Sequence, residues 1–306
     1  MEKTQKPLII YHDPCDDGFG AALAAWLKFG DEAEYCGRNY NLPNVALPSF
    51  LGRVVYILDF SFKMDVMRRI FEQAEQVIWL DHHKSAFDMW CGEGYLDTRS
   101  LFTQSEHVFN ECSNPVSCTI VLDNNKSGAI LAWEHFHHHV PRMIRFIDDN
   151  DRWEFMLDGS VPFRRHLYAI PMSFESWSRL AVDLEDDKYC AQFIKTGEVL
   201  GAFYDKQIQD MLSITRREII IPGFDWKGLS ANASGFFANE AGHILAAESG
   251  TFALVWEQCS DGSVGCSLRS SDGYDVLPIA KHFGGGGNKG SAGFRTTMDA
   301  LQSWFK

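Results

Sequence analysis

In the segment Val77-Ile78-Trp79-Leu80-Asp81-His82-His83, an apolar run leads directly into one carboxylate and two imidazoles. A short apolar run of this kind is typical of a buried β-strand. The same arrangement occurs twice earlier, where Leu8-Ile9-Ile10-Tyr11 precedes His12 and Val54-Val55-Tyr56-Ile57-Leu58 precedes Asp59. In open α/β sheets, ligands bind at the carboxyl ends of the strands, so we expect the three strand ends to face one crevice.

The composition is that of a globular protein with room for two domains of ordinary size. The chain has 306 residues, of which 45% are apolar and 23% charged, as expected of a folded chain. No apolar run is long enough to span a bilayer, and residues 1–7 do not resemble a signal peptide. The eight cysteines include no CxxC pair, which favours reduced thiols. We therefore expect a cytoplasmic protein without a membrane partner.

The formal net charge of −13 restricts the partners. Proteins that bind long duplex DNA usually have a basic surface patch, because neutralisation of the phosphates supplies most of the non-specific affinity. An acidic protein can still bind phosphates when metal ions and a few local cations supply the positive field. The charge therefore favours a nucleotide or a short single-stranded oligonucleotide over long duplex DNA.

The order of strands and helices predicts an α/β protein with two domains. In the first half, the three strands alternate with helices, which favours a doubly wound, mostly parallel sheet. A loop-rich stretch follows at 84–115. After a later, long helical segment, the sequence becomes rich in predicted strands and glycines. We predict a first domain at 1–190, a helical connector at 191–217 and a smaller α/β domain at 218–306, with the substrate site in a cleft between the domains.

The polar residues at the strand ends predict a metal site. The candidates are His12, Asp17, Asp59, His82 and one acid of Asp148-Asp149-Asn150-Asp151. Clustered carboxylates repel one another unless protons or cations compensate, and mixed imidazole and carboxylate ligands suit Mn²⁺, Fe²⁺ or Zn²⁺. A single Asp at a strand end is often only a helix N-cap, but three such endings together favour a metal site.

Five motifs resemble those of the DHH phosphoesterases. They are His12-Asp13-Pro14-Cys15-Asp16-Asp17-Gly18, Asp59-Phe60-Ser61, Asp81-His82-His83, Asp149-Asn150-Asp151-Arg152-Trp153 and the glycine run Gly284-Gly285-Gly286-Gly287 with Asn288 and Lys289. The last is similar to the hallmark of the DHH-associated C-terminal domain. The resemblance spans the chain from His12 to Phe294, and its motifs are in the family's order. It is closest to the branch of oligoribonucleases and cyclic-nucleotide phosphodiesterases.

The resemblance implies two divalent ions, most often Mn²⁺, with Mg²⁺, Fe²⁺ and Zn²⁺ as alternatives. His12 and Asp59 would hold one ion, whereas Asp17, Asp59, His82 and Asp149 would hold the other. His83 would contact the scissile phosphate or protonate the leaving oxygen, and Asp81 would orient an imidazole. In the second domain, the residues implied in substrate binding are Arg269, Gly285, Gly286, Asn288 and Lys289.

Two residues depart from the family pattern. Cys15 stands where most relatives have an aspartate, and it is either a ligand to a softer ion or a small buried filler. Asn288 stands where a histidine is usual and keeps a hydrogen-bond donor without a charge. The glycine run alone would equally fit a flexible turn, but together with Arg269 it favours a substrate-binding loop.

We interpret the chain as a Mn²⁺-dependent phosphodiesterase that hydrolyses short oligonucleotides or cyclic (di)nucleotides with a hydroxide activated by two ions. The alternatives are a nucleotide phosphomonoesterase, of the type that acts on 3′-phosphorylated nucleotides, and a non-catalytic nucleotide receptor. We allow for a homodimer. Among the tryptophans, Trp79, Trp90, Trp133 and Trp177 are interpreted as core residues, whereas Trp153 borders the fourth motif and is a candidate for the wall of the cleft.

Overall fold

The computed structural model describes residues 5–39, 46–83, 86–87, 105–109 and 116–306. Trp90 and most of the stretch at 84–115 therefore lie outside the described residues. The chain divides into two compact units, Met1–Gly201 and Ala202–Lys306. The division falls within the segment 191–217 that we expected to connect two domains.

The first unit is built on a six-stranded sheet with the order β2-β1-β3-β4-β6-β5. The strands are β1 (Leu8–His12), β2 (Glu34–Arg38), β3 (Val54–Leu58), β4 (Gln76–Asp81), β5 (Ser105–Phe109) and β6 (Val116–Leu122). Five of them run parallel, and β5 pairs antiparallel with β6 at one edge. The predicted α/β class with a mostly parallel first sheet is confirmed, whereas the edge strands β2 and β5 were not predicted.

Helices cover both faces of this sheet. They are α1 (Asp16–Phe29), α2 (Met64–Gln73), α3 (Gly128–Phe136), α4 (Arg142–Asp151), α5 (Ser160–Leu167) and α6 (Phe174–Asp183). Side chains alternate along the strands: Val77 and Trp79 belong to one core cluster, Ile78 and Leu80 to the other. Strands buried on both faces read as continuous apolar runs, which is why the sequence shows them so clearly.

The strand order reverses between β1 and β3, and this reversal opens a crevice at the carboxyl ends of the strands. Tyr11 pairs with Leu58, and Leu58 pairs with Leu80. The residues that follow in each strand therefore lie side by side, and the backbone N–H of Asp59 donates to the carbonyl of Leu80 (2.9 Å). Pairing of the strands alone brings His12, Asp59 and Asp81 to one edge of the sheet.

The second unit contains a mixed six-stranded sheet with the order β11-β12-β10-β9-β8-β7. Its strands are β7 (Arg217–Ile220), β8 (Lys227–Asn232), β9 (Phe252–Gln258), β10 (Val264–Ser270), β11 (Gly286–Gly287) and β12 (Ser291–Thr296). The long helix α7 (Asp187–Thr215) runs from the first unit into the second, and α8 (Ala238–Ser249), α9 (Leu277–His282) and α10 (Met298–Trp304) follow. Among the described helices, none has the length and apolarity that a membrane span requires.

Gly197 and Gly201 of α7 provide a matched test of packing in the first unit. A Cβ at Gly197 would lie 1.9 Å from the carbonyl oxygen of Pro162, whereas a Cβ at Gly201 would lie 3.4 Å from Cγ of Arg165. We expect Gly197→Ala to lower the free energy of unfolding by about 1–3 kcal/mol, because the helix must move away from α5. Gly201→Ala should raise it by up to about 1 kcal/mol, because alanine favours the helix. Urea unfolding of both variants measures the difference, and equal effects would contradict this packing.

Candidate active site

Asp59 lies at the centre of a cluster of imidazoles and carboxylates. Its Oδ1 is 3.1 Å from Nε2 of His82 and 3.6 Å from Nδ1 of His83, and its Oδ2 is 3.4 Å from Nδ1 of His12. Asp59 is 1% exposed and has a φ of 52°, a left-handed conformation that is unusual for a residue other than glycine,. Such backbone strain is often found at functional sites.

Three groups of side chains in this cluster have the spacing that a metal ion requires. They are His12, Cys15 and Asp59; Asp59, His82 and His83; and Asp17, His82 and Asp151. Asp59 and His82 each belong to two groups, so neighbouring ions could share ligands. Two atoms bound to one ion at about 2.1 Å lie roughly 3.0–3.4 Å apart, close to the separations around Asp59.

The hydrogen bonding of Asp59 also fits a cation. Both of its carboxylate oxygens are buried and accept no well-formed hydrogen bond from the described residues. Burial alone would raise the pKa of Asp59, but the facing imidazoles of His12 and His82 outweigh this effect and hold the pKa below its usual range. A buried carboxylate that stays ionised between imidazole nitrogens is a suitable ligand for a divalent ion.

Asp81, unlike Asp59, accepts several hydrogen bonds, and these hold His82 and His83 in place. One carboxylate oxygen accepts from the backbone N–H groups of His82 (2.8 Å) and His83 (3.2 Å) and lies 2.8 Å from Nδ1 of His83. The other oxygen accepts from the hydroxyl of Ser61. Burial would lower the pKa of His83, but the charge of Asp81 overcomes it and raises the pKa to about 9. Asp81 therefore orients His83 and holds its charge.

Asp17 joins the cluster to the start of α3. Its two oxygens accept from the backbone N–H groups of Gly128 (2.7 Å) and Ala129 (2.8 Å), and Oδ2 lies 3.5 Å from Nε2 of His82. The absence of a side chain at Gly128 also lets α3 begin close to Asp59, since a Cβ there would lie 2.4 Å from Cβ of Asp59. Burial and the nearby charges of Asp59 and Asp151 raise the pKa of Asp17. Asp17 thus binds a helix N-terminus and also faces the cluster.

Asp151 occupies the position in the cluster that we assigned to Asp149. Oδ2 of Asp151 is 3.6 Å from Nε2 of His82. The oxygens of Asp149 instead accept from the backbone N–H groups of Met156 (2.7 Å) and Leu157 (3.3 Å), so Asp149 shapes the chain after α4. Helical spacing could have indicated Asp151, which lies four residues after Ile147 and seven after Ile144,.

Cys15 points into the same cluster. Its thiol belongs to the group with His12 and Asp59, and burial together with the charges of Asp59 and Asp151 raises its pKa well above the usual value. As the residue preceding α1, Cys15 makes no capping hydrogen bond through its side chain. This position fits a ligand better than a filler of the core. The described cysteines, including Cys15, are free thiols.

The predicted substrate-binding residues of the second unit lie near one end of its sheet. Arg269 on β10 pairs with Ser291 on β12, and Asn288 and Lys289 form the turn that precedes Ser291. The guanidinium of Arg269 donates to Oδ1 of Asn239 (3.0 Å) and to the carbonyl of Leu268 (2.7 Å). Burial lowers the pKa of Arg269 to about 10, which still leaves it charged near neutrality.

The glycines of this segment have a packing role. A Cβ at Gly285 would lie 2.0 Å from the carbonyl oxygen of Gly293, whereas Gly286 has open space around its Cα. Lys289 is exposed, and its carbonyl accepts from the backbone N–H of Val276 (3.0 Å). The turn between β11 and β12 is therefore fixed, and the Lys289 side chain lies at the surface.

No family model matches this chain. A curated relative, Uncharacterized protein R106 of Acanthamoeba polyphaga mimivirus, is 27% identical over 316 residues, which cover 96% of this chain and 68% of that protein. Among solved structures, exonuclease RecJ bound to manganese is similar with a TM-score of 0.49, 13% identity and coverage of 99% of this chain and 89% of that chain.

Two further structures are similar over most of both chains. The pGpG-specific phosphodiesterase PggH from Vibrio cholerae has a TM-score of 0.43, 12% identity and coverage of 97% and 95%. An exopolyphosphatase-related protein from Bacteroides fragilis has a TM-score of 0.46, 13% identity and coverage of 98% and 91%. These likenesses are distant, and the chemistry of this chain has to be derived from its own side chains.

The different surroundings of Asp149 and Asp151 generate a direct test. We expect Asp151→Asn to weaken Mn²⁺ binding by roughly 10- to 100-fold, because it removes a carboxylate that faces His82. Asp149→Asn should change Mn²⁺ affinity less than threefold but lower the melting temperature, because one acceptor for the Met156–Leu157 backbone is lost. Isothermal titration calorimetry and thermal unfolding measure the two effects. The opposite pattern would restore Asp149 as the ligand.

Proposed function

We propose that this protein is a Mn²⁺-dependent phosphodiesterase that hydrolyses short oligonucleotides, of the nanoRNA type, or cyclic (di)nucleotides. The observation that carries the proposal is the sharing of ligands: Asp59 and His82 each take part in two adjacent metal-sized groups. Adjacent divalent ions are a common means of cleaving phosphate esters. The five DHH-like motifs of the sequence support the same reaction class, and we assign the protein to the enzymes on this basis.

The first unit would hold the metal ions. His12, Asp59 and Cys15 would bind one, while Asp17, Asp59, His82 and Asp151 would bind the other, with Asp59 common to both sets. Divalent ions bound there would polarise a phosphate and promote ionisation of a water molecule. The hydrogen bonds from Gly128 and Ala129 hold Asp17 in place, so the carboxylate needs little rearrangement when an ion binds.

His83 is the residue that would act on the substrate. Asp81 binds its Nδ1, which directs Nε2 away from Asp81. A protonated His83 can donate to a phosphate oxygen or to the leaving oxygen. In the second unit, Arg269, Asn288 and Lys289 would bind a phosphate or a base of the substrate, and Gly285 and Gly286 would shape the turn. The cytoplasmic location and the homodimer stay predictions.

A non-catalytic nucleotide receptor is the second candidate, and Cys15 is the observation that favours it. A thiol in place of a carboxylate removes one hard ligand from the group with His12 and Asp59, which weakens binding of Mn²⁺ or Mg²⁺. A receptor would keep nucleotide binding without hydrolysis.

A panel of substrates tests the reaction. We expect the protein with Mn²⁺ to convert dinucleotides, short RNAs or cyclic dinucleotides to nucleoside monophosphates. Asp59→Ala and His82→Ala should each abolish turnover, because they remove shared ligands, whereas the exposed His138→Ala should leave it unchanged. Mass spectrometry of the products is the measurement. Release of inorganic phosphate from 3′,5′-bisphosphonucleosides would indicate the phosphomonoesterase, and binding without any product would indicate the receptor.

Lys289 tests the role of the second unit. We expect Lys289→Ala to raise KM about tenfold and to change kcat less than twofold, because a charge-assisted contact with the substrate is lost. Lys281→Ala, which removes another exposed lysine of the same unit, is the matched control. Steady-state kinetics on the best substrate of the panel measure both variants, and an unchanged KM for Lys289→Ala would remove this residue from the substrate site.

A further inference from the structure

The segment at 152–159, which follows α4, presents an exposed aromatic ring next to the metal-binding cluster. Trp153 follows Asp151 by two residues and is 41% exposed. Trp153 and Phe155 have φ values of 58° and 52°. A left-handed φ is costly for any residue other than glycine, and here two such residues lie within three positions. Such strain persists only where the surrounding structure enforces it.

Two side chains of α4 enforce the path of this segment. Asp149 accepts hydrogen bonds from the backbone N–H groups of Met156 and Leu157. The amide of Asn150 donates to the carbonyl of Phe146 and to Ser160, where α5 begins. The segment is therefore fixed to α4 at both ends, and the Trp153 ring is held in position before any ligand binds.

A buried arginine supports this ring. The guanidinium carbon of Arg164 lies 5.1 Å from the centre of the Trp153 ring and 5.9 Å from that of Tyr168. Arg164 is 9% exposed. A guanidinium over an indole face is a favourable cation–π arrangement, more so where water is excluded. Arg164 also interacts with Asp16, the first residue of α1. Burial raises the pKa of Asp16 to about 6, and the charge of Arg164 opposes this rise.

We propose that Trp153, supported by Arg164, is a stacking surface for a nucleobase of the substrate. This inference rests on the proposed function and deepens it, because it places a base-recognition surface in the first unit beside the phosphate-binding cluster. The chain carries a net charge of −13, so its overall field does not attract phosphates, and affinity beyond the local cations Arg269 and Lys289 has to come from uncharged contacts. Stacking on an aromatic ring is independent of charge and tolerates different bases.

Space for a ligand lies further along the same segment, in a depression that Trp153 itself does not line. A shallow depression of about 440 Å³ is lined by residues 155–162, all from the same segment and the start of α5. Ligand sites for small molecules have volumes of about 300–1,000 Å³. Exposed apolar side chains continue along this surface, with Met156 at 80% and Leu157 at 38% exposure.

Abasic substrates separate stacking from other roles of Trp153. We expect Trp153→Ala to raise KM for a dinucleotide by about 10- to 100-fold, and KM for the same dinucleotide with one base removed by less than threefold. Trp153→Phe should recover most of the difference, since it retains a ring. Tyr189→Ala, which removes an exposed aromatic residue of α7 in the same unit, should behave like the wild type.

Equal losses on both substrates would overturn the proposal, because they would mean that Trp153 only supports the segment after Asp151. Unchanged kinetics on both would overturn it as well. Equilibrium binding gives a readout without turnover: with Mn²⁺ present, adenosine 5′-monophosphate should bind more tightly than ribose 5-phosphate, and Trp153→Ala should remove the difference. If the wild type hydrolyses nothing but keeps this base-dependent binding, the proposed function fails while the stacking surface stands.

Discussion

Three buried carboxylates at one edge of a parallel sheet are the constraint on which the first unit depends. Asp17, Asp59 and Asp81 are each at most 1% exposed, and charges removed from water must be compensated. Asp17 is compensated by the first N–H groups of α3. Asp81 is compensated by backbone N–H groups, Ser61 and His83. Among the described residues, Asp59 faces the imidazoles of His12 and His82 and the thiol of Cys15 but accepts no well-formed hydrogen bond, which makes it the position where a cation gains most.

The carboxylates at the C-terminal end of α4 are likewise compensated, each by a different part of the chain. Asp148 accepts from the backbone N–H of Ser127, just before α3. Asp149 accepts from the segment after the helix, whereas Asp151 faces His82. Three carboxylates within four residues thus have three separate partners. The sequence predicted that one acid of this stretch is a metal ligand, and of the three it is Asp151 that approaches the cluster.

The sequence was most informative where strands are buried on both faces. The runs that became β1, β3 and β4 are continuous and apolar, so their ends and the residues at those ends could be predicted. The edge strand β2 could not, because Glu34 to Arg38 contains no apolar run and Arg38 is the one buried residue among its five. The choice between Asp149 and Asp151 depended on the phase of a helix, which the packing of Ile144 and Ile147 sets. Arg164 was missed because burial of a cation between two rings results from tertiary packing and leaves no mark on local periodicity.

The pairing of β1 with β3, and of β3 with β4, affects how this chain acquires its site during synthesis. The cluster joins residues from His12 to Asp151, and at least one helix lies between each of its strand ends and the next. Contacts between distant residues pay their loop-closure entropy before they contribute stability, and parallel sheets form slowly for this reason. A nascent chain that has emerged only as far as β4 already carries Asp17 and Asp59 but has no α3 to donate hydrogen bonds to Asp17. Asp17 therefore lacks its two backbone donors until α3 has been synthesised, and the cluster is complete only once α4 adds Asp151.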